Sequence, residues 1–315
     1  MAPSGLRPSH RVVVVGATGF VGRAVVAALV RRGAAVTIIR APRLAPVEPH
    51  SLQAALLAAA ATVESLADEI RDHDVVINAA GRSQAGSGDL SGLLAANALL
   101  PGVIALATAK ASVPRFVHFS SGAVQGDAEQ LDSSPRLKPF SPYSYSKAVG
   151  EQMVLRLHPR AVVYRPAGVQ GIARPASRNL VQAASSWLAT TPGNGSGNSP
   201  QALVENVADA AAFLALTAQS PPPIVHHPTE GLSVGELLEL LGGGAPRSIP
   251  ECAARNTVRA VKRAETLSPG LAARRRRLEV MWFGQEQAAS WLTTAGWTPA
   301  VGKSGWRALG DALRR

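Results

Sequence analysis

The run Val12-Val13-Val14-Val15-Gly16-Ala17-Thr18-Gly19-Phe20-Val21-Gly22 decides how this chain is read. Four β-branched residues in succession show no alternation, which is the pattern of a parallel strand buried on both faces. The glycines that follow each have a physical job. The first permits a tight turn out of the strand, the second lets backbone N–H groups approach a phosphate, and the third lets the next helix pack closely on the strand. A strand feeding a glycine-rich turn and a helix grips a dinucleotide pyrophosphate, because the helix N-terminus offers free N–H groups and a positive dipole end. An ordinary turn also shows glycines; the buried strand before them and the helix after them favour the dinucleotide.

Outward from this motif, Ala24–Arg32 reads as helix with Gly33 as its C-cap, and Val36–Ile39 as a second strand. A third strand is expected after the next crossover, yet Leu44–His50 is proline-broken, and Ser51–Ala61 and Val63–Arg71 read as helix. Val75–Ile77 is again a strand, ending in Asn78-Ala79-Ala80-Gly81. Leu90–Lys110 reads as a long helix, Phe116–Phe119 as a strand ending at Ser120-Ser121, Tyr143–Leu157 as helix and Val162–Arg165 as strand. Alternating strands and helices with short connections predict an α/β fold, a doubly wound parallel sheet. The expected division is a dinucleotide-binding domain over residues 1–171 and a smaller, mostly helical substrate portion over 172–315. Within the latter, 201–228 carries a helix (Asn206–Leu216) and a strand (Pro223–His227) that return to the first domain. Ser233–Leu241 and Gln285–Ala295 read as amphipathic helices.

A second motif, Tyr143-Ser144-Tyr145-Ser146-Lys147, places a phenol and an ammonium on one face of a helix. A phenol ordinarily ionises near pH 10, and a neighbouring cation brings it toward the range where it exchanges a proton during catalysis. The bland alternative is a surface ion pair. Tyr145 is two residues from Lys147 and lies on another face.

Composition bounds the reading. With 315 residues and 46% apolar content the chain buries a full core. Its single cysteine, Cys252, excludes an internal disulfide and any multi-cysteine metal site, and His73, His118, His226 and His227 lack metal-ligand spacing, so no metal is expected. Met1–His10 has neither the apolar core nor the cleavage pattern of a signal peptide. Ala98–Ala109 is apolar, but Pro101 and Gly102 interrupt it, so no integral membrane segment is expected and a cytoplasmic location is the default. The net charge of +11 comes from 27 Arg and 5 Lys. Much of it sits in Arg255–Arg277, where Arg255, Arg259, Lys262, Arg263 and Arg274-Arg275-Arg276-Arg277 meet one acid, Glu265. The choices are a solvated helix face, an anionic substrate, and a membrane surface or nucleic acid. No aromatic residues interleave with these arginines, which weakens base stacking, and nucleic acid is not the expected partner. A small-molecule substrate is. Oligomeric state is left open, a homodimer included.

The spacing of Gly16, Gly19 and Gly22 begins a wider resemblance. Together with Asn78-Ala79-Ala80-Gly81, Asn97, Phe119-Ser120-Ser121, Ser141-Pro142-Tyr143 through Lys147 and on to Glu151, Arg165-Pro166, Leu232-Ser233-Val234-Gly235-Glu236-Leu237 and Gly296-Trp297-Thr298-Pro299, it resembles the extended branch of the short-chain dehydrogenase/reductase superfamily, the epimerase/dehydratase-like proteins. The resemblance covers nearly the whole chain. It implies that Tyr143 is the general acid/base, that Lys147 holds the nicotinamide ribose and lowers the phenol's pKa, and that Ser121 hydrogen-bonds the reacting carbonyl oxygen. Ser121 is preferred to Ser120 because it lies five residues before Gly126, the branch's spacing. Asn97 matches the branch's active-site asparagine, with helix packing as the alternative. Gly16, Thr18, Gly19, Phe20, Val21, Gly22, Asn78, Ala79, Ala80, Gly81 and Pro166 are implied to contact the cofactor, and Ser83, Gln84, Gly122 and Asn206 the substrate.

Cofactor choice is read at the end of the second strand, where a carboxylate would bind ribose hydroxyls and repel a 2′-phosphate. Arg40 and Arg43 stand there, with no acid before Glu48. Two guanidiniums suit a phosphate, so NADP is expected, with NAD as the alternative. The chain departs from the branch in lacking an acidic motif after a third strand and in having Val124-Gln125-Gly126 where a tyrosine is common. The implied activity is carbonyl–alcohol oxidoreduction on a nucleotide-activated or similarly phosphorylated sugar. The alternatives are an NAD-dependent sugar-nucleotide epimerase and a non-catalytic dinucleotide sensor. Gly122-Ala123 offers no acid for dehydration, and the retained tyrosine–lysine pair argues against the sensor.

Overall fold

The computed structural model describes residues 10–83, 89–264 and 269–315. Gln84, Glu265 and most of Met1–His10 lie outside the described residues.

Strands β1 (Arg11–Val15), β2 (Ala35–Ile39), β3 (Val75–Asn78) and β4 (Arg115–Phe119) are joined through helices α1 (Phe20–Arg31), α2 (Leu52–Ala58), α3 (Ala60–Ile70), α4 (Leu90–Leu94) and α5 (Leu100–Lys110). A short β5 (Gln130–Leu131), the helix α6 (Pro142–Leu157) and strands β6 (Val162–Arg165), β7 (Gly168–Gln170), β8 (Thr190–Pro192) and β9 (Gln201–Leu203) follow, with α7 (Pro175–Ala184) between β7 and β8. Helix α8 (Val204–Leu216) leads to β10 (Ile224–His226). The central sheet runs β2-β1-β3-β4-β6-β10 and is parallel throughout. This is the expected doubly wound α/β sheet, a Rossmann-type fold. The chain winds outward from β1 to β2, then back across β1 to β3, so the strand order reverses between β1 and β3, above whose carboxyl ends ligands bind.

Among the described residues no strand lies beyond β2. The segment that would supply one forms α2 and α3, whose Leu52, Leu56, Val63, Leu66 and Ile70 join the core on one face of the sheet. Helices α1 and α8 cover the other face through Val25, Leu29, Val207, Ala211 and Leu214. Alanines at 208, 210, 211 and 212 let α8 lie close to the sheet.

Leu90–Lys110 is helical throughout, and Pro101 does not break it. The turn Ala95–Leu99 widens to π geometry immediately before the proline, the one place where a missing N–H and the ring's bulk are accommodated. By length and composition this helix is apolar enough to cross a membrane, but 78% of its apolar window is buried inside the protein. It is a core helix.

A third core joins Val181, Leu203, Leu237, Leu241, Trp306 and Leu309. It gathers α7, α9 (Val234–Gly242) and, following β11 (Arg247–Ile249), α10 (Glu251–Ala264), α11 (Pro269–Phe283), β12 (Glu286–Gln287) and α12 (Trp291–Thr294), the last helix α13 (Lys303–Arg314). The helix predicted over Gln285–Ala295 is not formed. Glu286–Gln287 pair with β5 instead, and helix begins only at the Ser290 cap, whose hydroxyl accepts from the Leu292 N–H.

Candidate active site

Gly16 ends β1 with a φ of +86°, and a side chain there would strike the Ala80 backbone at 2.5 Å. A Cβ on Gly22 would meet the Gly16 carbonyl oxygen at 2.0 Å, so α1 sits against the turn only because residue 22 is glycine. Gly19 is the N-cap of α1 and no side chain caps the helix. Gly19, Phe20 and Val21 open onto a cavity of about 790 Å³, so uncapped first-turn N–H groups are available to an anion. This cradle fits a dinucleotide pyrophosphate. Thr18 turns its carbonyl to the Arg23 guanidinium, at 2.7 Å. Across the switch point Asn78 is fully buried; its Oδ1 accepts from the Ala80 N–H and its Nδ2 meets His118 Nδ1, so it shapes the turn that presents Ala79, Ala80, Gly81 and Ser83 to the cavity.

Helix α6 opens on a capping box, in which the Ser141 hydroxyl accepts from the Ser144 N–H and Ser144 Oγ accepts from the Ser141 N–H. That anchored start, with Pro142 in the first turn, fixes the phase of the helix. Tyr143 and Lys147 therefore face the cavity, while Tyr145 points out and is 40% exposed. The Ser121 side chain lies on the same cavity wall as the Tyr143 phenol and favours its ionised form. Ser121 also accepts from the Ala123 N–H, and Gly122 donates its N–H to the Pro166 carbonyl, bringing the end of β4 and Pro166 together under the reacting position. Ser120 turns away and donates to Glu151 Oε2 at 2.8 Å.

Lys147 Nζ donates to the Phe119 carbonyl oxygen at 2.9 Å. Burial pulls the ammonium down to about 8, with Glu151 opposing the shift. Burial holds the phenol above its usual range, and the groups that counter it are Ser121 and the cation of Arg174. Arg174, in the turn between β7 and α7, was missed by sequence reasoning; only the following Pro175, a helix-start signal, marks its position.

Two expected contacts lie elsewhere. Asn97 is fully buried in the π-turn and does not reach the cavity: its Oδ1 accepts from the Arg82 N–H, and its Nδ2 donates to the Arg82 carbonyl and to Ser146 Oγ. It holds the loop after β3 against α6. Asn206 is also fully buried, donating to Glu230 and the Val301 carbonyl and accepting from the Val301 N–H, so it ties α8 to the C-terminal segment and does not line the cavity.

The walls beyond Tyr143 are formed by Leu131, Phe140, Leu180, Val280 and Met281, with Arg174, Arg276 and Arg277 as cations and no carboxylate among the described lining residues. The arginine run divides in two. Arg275 is buried and bonded to Glu279 and Asp127, and Arg276 reaches Glu279 and the Ala128 carbonyl, whereas Arg274 and Arg277 are exposed. Arg40 and Arg43 line a separate cleft of about 500 Å³ with Thr62, Ser65 and Glu69 of α3. No cluster able to hold a metal ion occurs among the described residues.

Residues 12–221 match the NAD dependent epimerase/dehydratase family. The chain belongs to that family. That family is described as NAD dependent. A family relative, the 4-hydroxy-2-methyl-3-oxo-4-farnesyl-3,4-dihydroquinoline-1-oxide ketoreductase of Stigmatella aurantiaca, is 32% identical over 170 residues, 51% of this chain and 51% of that protein. The match thus spans about half the length of that curated relative. Among solved structures of the same fold, the UDP-glucuronic acid 4-epimerase of Bacillus cereus with NAD superposes with a TM-score of 0.65, 18% identity and 96% of each chain covered. The dTDP-4-dehydrorhamnose reductase of Bacillus anthracis with NADP gives 0.64 and 18%, covering 96% of this chain and 98% of the other.

Proposed function

We propose that the protein is an NADP-dependent oxidoreductase that interconverts a carbonyl and an alcohol on a nucleotide-activated or otherwise phosphorylated sugar. The observation that carries this reading is one cavity in which Tyr143, Ser121 and Lys147 meet the glycine-rich turn at one end, and Arg174, Arg276 and Arg277 stand with no acid at the other. Gly19, Phe20 and Val21 of the glycine-rich turn would hold the dinucleotide, which when bound would supply or accept a hydride. Ser121 donates a hydrogen bond to the carbonyl oxygen, and Tyr143 delivers a proton to that atom in reduction or removes it in oxidation. Lys147, charged below about pH 8, holds the ribose hydroxyls. Arg40 and Arg43 carry no ion pair among the described residues and support NADP through its 2′-phosphate.

A second reading, reduction of an apolar ketone, is favoured by Leu131, Phe140, Leu180, Val280 and Met281 in the same cavity and by the relative's name as ketoreductase of a farnesylated quinoline oxide. Nicotinamide absorbance separates the readings. Stoichiometric NADPH oxidation with a nucleotide-linked 4-keto sugar supports the first, and oxidation only with prenylated quinolone carbonyls supports the second. Epimerised product with no net change in absorbance overturns both.

A further inference from the structure

We infer that the α10–α11 hairpin and the loop after α7 form a docking surface for a bilayer that carries anionic lipids. The surface lies outside the catalytic cavity and does not depend on which carbonyl compound reacts there.

Helix α10 supplies the charge. Its buried residues are Ala254 and Val258, one turn apart, on the side that packs on α11. Arg255, Arg259, Lys262 and Arg263 recur at the i, i+4, i+7 and i+8 spacing of a single helical face, and all four are exposed. The acid of this helix, Glu251, pairs with Arg255 at 2.5 Å, so the face keeps an excess of positive charge.

The loop after α7 supplies the apolar part. Trp187 and Leu188 are adjacent and 73% and 57% exposed. A large apolar side chain standing alone on a surface is ordinary, but two together beside a cationic face make a patch with a use. Tryptophan settles at the boundary between water and acyl chains, and leucine partitions beneath it. No Asp or Glu occurs between Glu151 and Glu205, so the chain on either side of the loop carries no negative charge, and exposed Arg178 and Arg247 add to the positive.

These parts are joined. The Arg247 N–H donates to the Ala189 carbonyl at 2.8 Å, directly after Leu188. Trp282, near the end of α11, donates its indole N–H to Thr190 Oγ1 at 3.2 Å. The Arg255 guanidinium lies over the neighbouring Phe283 ring, 5.0 Å from its centroid. The loop, the end of α11 and the cationic face of α10 are therefore one patch. Helices α7 and α11 also wall the cavity through Leu180, Val280 and Met281, so the patch is carried on the elements that shape the substrate end. A bilayer is favoured over nucleic acid because no aromatic ring stands among the cations of α10, where bases would stack.

The test floats the full-length protein with vesicles of phosphatidylcholine alone and of phosphatidylcholine mixed with phosphatidylglycerol. Retention is expected on the mixed vesicles only, weakening as salt is raised. Trp187→Ser with Leu188→Ser is expected to lower the partition about tenfold and to abolish a vesicle-induced blue shift of tryptophan emission. Each cation removed is expected to cost about fivefold, so Arg259→Gln with Lys262→Gln about 25-fold. Circular dichroism follows the fold of both variants. No retention on mixed vesicles, equal retention on both kinds, or unmoved retention in either folded variant overturns the inference. DNA bound as tightly as the mixed vesicles makes the patch a nucleic-acid site and overturns it as well. So does a fall in mass by light scattering in the Trp187/Leu188 variant, which makes the patch a contact between copies of the chain.

Discussion

Glu151 and Arg165 form an ion pair beneath the active site, with Arg165 Nε donating to Glu151 Oε2 at 3.0 Å and both side chains at most 2% exposed. The same carboxylate oxygen accepts from Ser120, and Arg165 Nη1 donates to the Asp132 and Ser134 carbonyls. The pair therefore ties α6 to β6, to the end of β4 and to the loop before Lys147's helix. Removing one partner strands a buried charge. Glu151→Ala is expected to cost about 3–5 kcal/mol of unfolding free energy, measured by urea denaturation. Glu151→Gln, which keeps an acceptor for Ser120, is expected to cost less. A Glu151→Ala protein within error of the parent would show that the pair contributes nothing.

The carboxylate also acts on Lys147. Burial lowers the ammonium to about 8 and Glu151 raises it, so the cationic form is present below pH 8 and lost above it. Cofactor affinity, followed by protein fluorescence, is expected to weaken as pH rises through 8. In Glu151→Gln the transition moves to lower pH, since the stabilising anion is gone. Affinity that stays level to pH 10 would remove Lys147 from the binding site.

The glycine-rich turn, the Tyr143–Lys147 face and the alternation of strands and helices were legible in the sequence because each is a local pattern with one steric solution. Asn97 and Asn206 were not: both sit at helical positions that the sequence leaves facing either way, and only the packing of α6 on the π-turn and of the C-terminal segment on α8 decides that they point inward. Pro101 is carried within the predicted Leu90–Lys110 helix because the preceding turn widens to accept it. Arg174 joins the cavity wall from a turn of irregular backbone, for which periodicity has no signal. Gln285–Ala295 has an amphipathic pattern, but pairing with β5 outcompetes helix at Glu286–Gln287.

Arg40 and Arg43 face a common cleft that also presents Thr62 and Ser65. Each charge-assisted contact to a 2′-phosphate contributes about 1.5–3 kcal/mol. NADP is expected to bind more tightly than NAD, and Arg40→Ala with Arg43→Ala to abolish that preference while leaving NAD affinity nearly unchanged. Equal affinities in the parent protein, by fluorescence titration, would rule the preference out.

Arg275 and Arg276 are occupied by Asp127, Glu279 and the Ala128 carbonyl, which leaves Arg274 and Arg277 as the exposed members of the run. Two exposed guanidiniums without interleaved aromatics make a poor nucleic-acid surface. Binding to duplex or single-stranded DNA at physiological ionic strength is expected to be weaker than micromolar. Micromolar binding that falls steeply with added salt, the mark of phosphate contacts, would contradict this.

Tyr143→Phe is the decisive change for the proposed chemistry. The hydroxyl delivers or removes the proton at the carbonyl oxygen, and Ser121 on the same cavity wall cannot replace it, because a serine hydroxyl is far too weak an acid. Loss of general acid–base catalysis costs about 10²–10⁴-fold, so kcat is expected to fall by that factor while cofactor affinity is nearly retained. Ser121→Ala is expected to cost a comparable factor through lost polarisation of the carbonyl. Tyr145→Phe is the internal control: that ring is 40% exposed, on a different face of α6 from Lys147, and its removal is expected to leave kcat unchanged. Full activity in Tyr143→Phe would overturn the mechanism, and loss confined to Tyr145→Phe would move the acid/base role to the other ring.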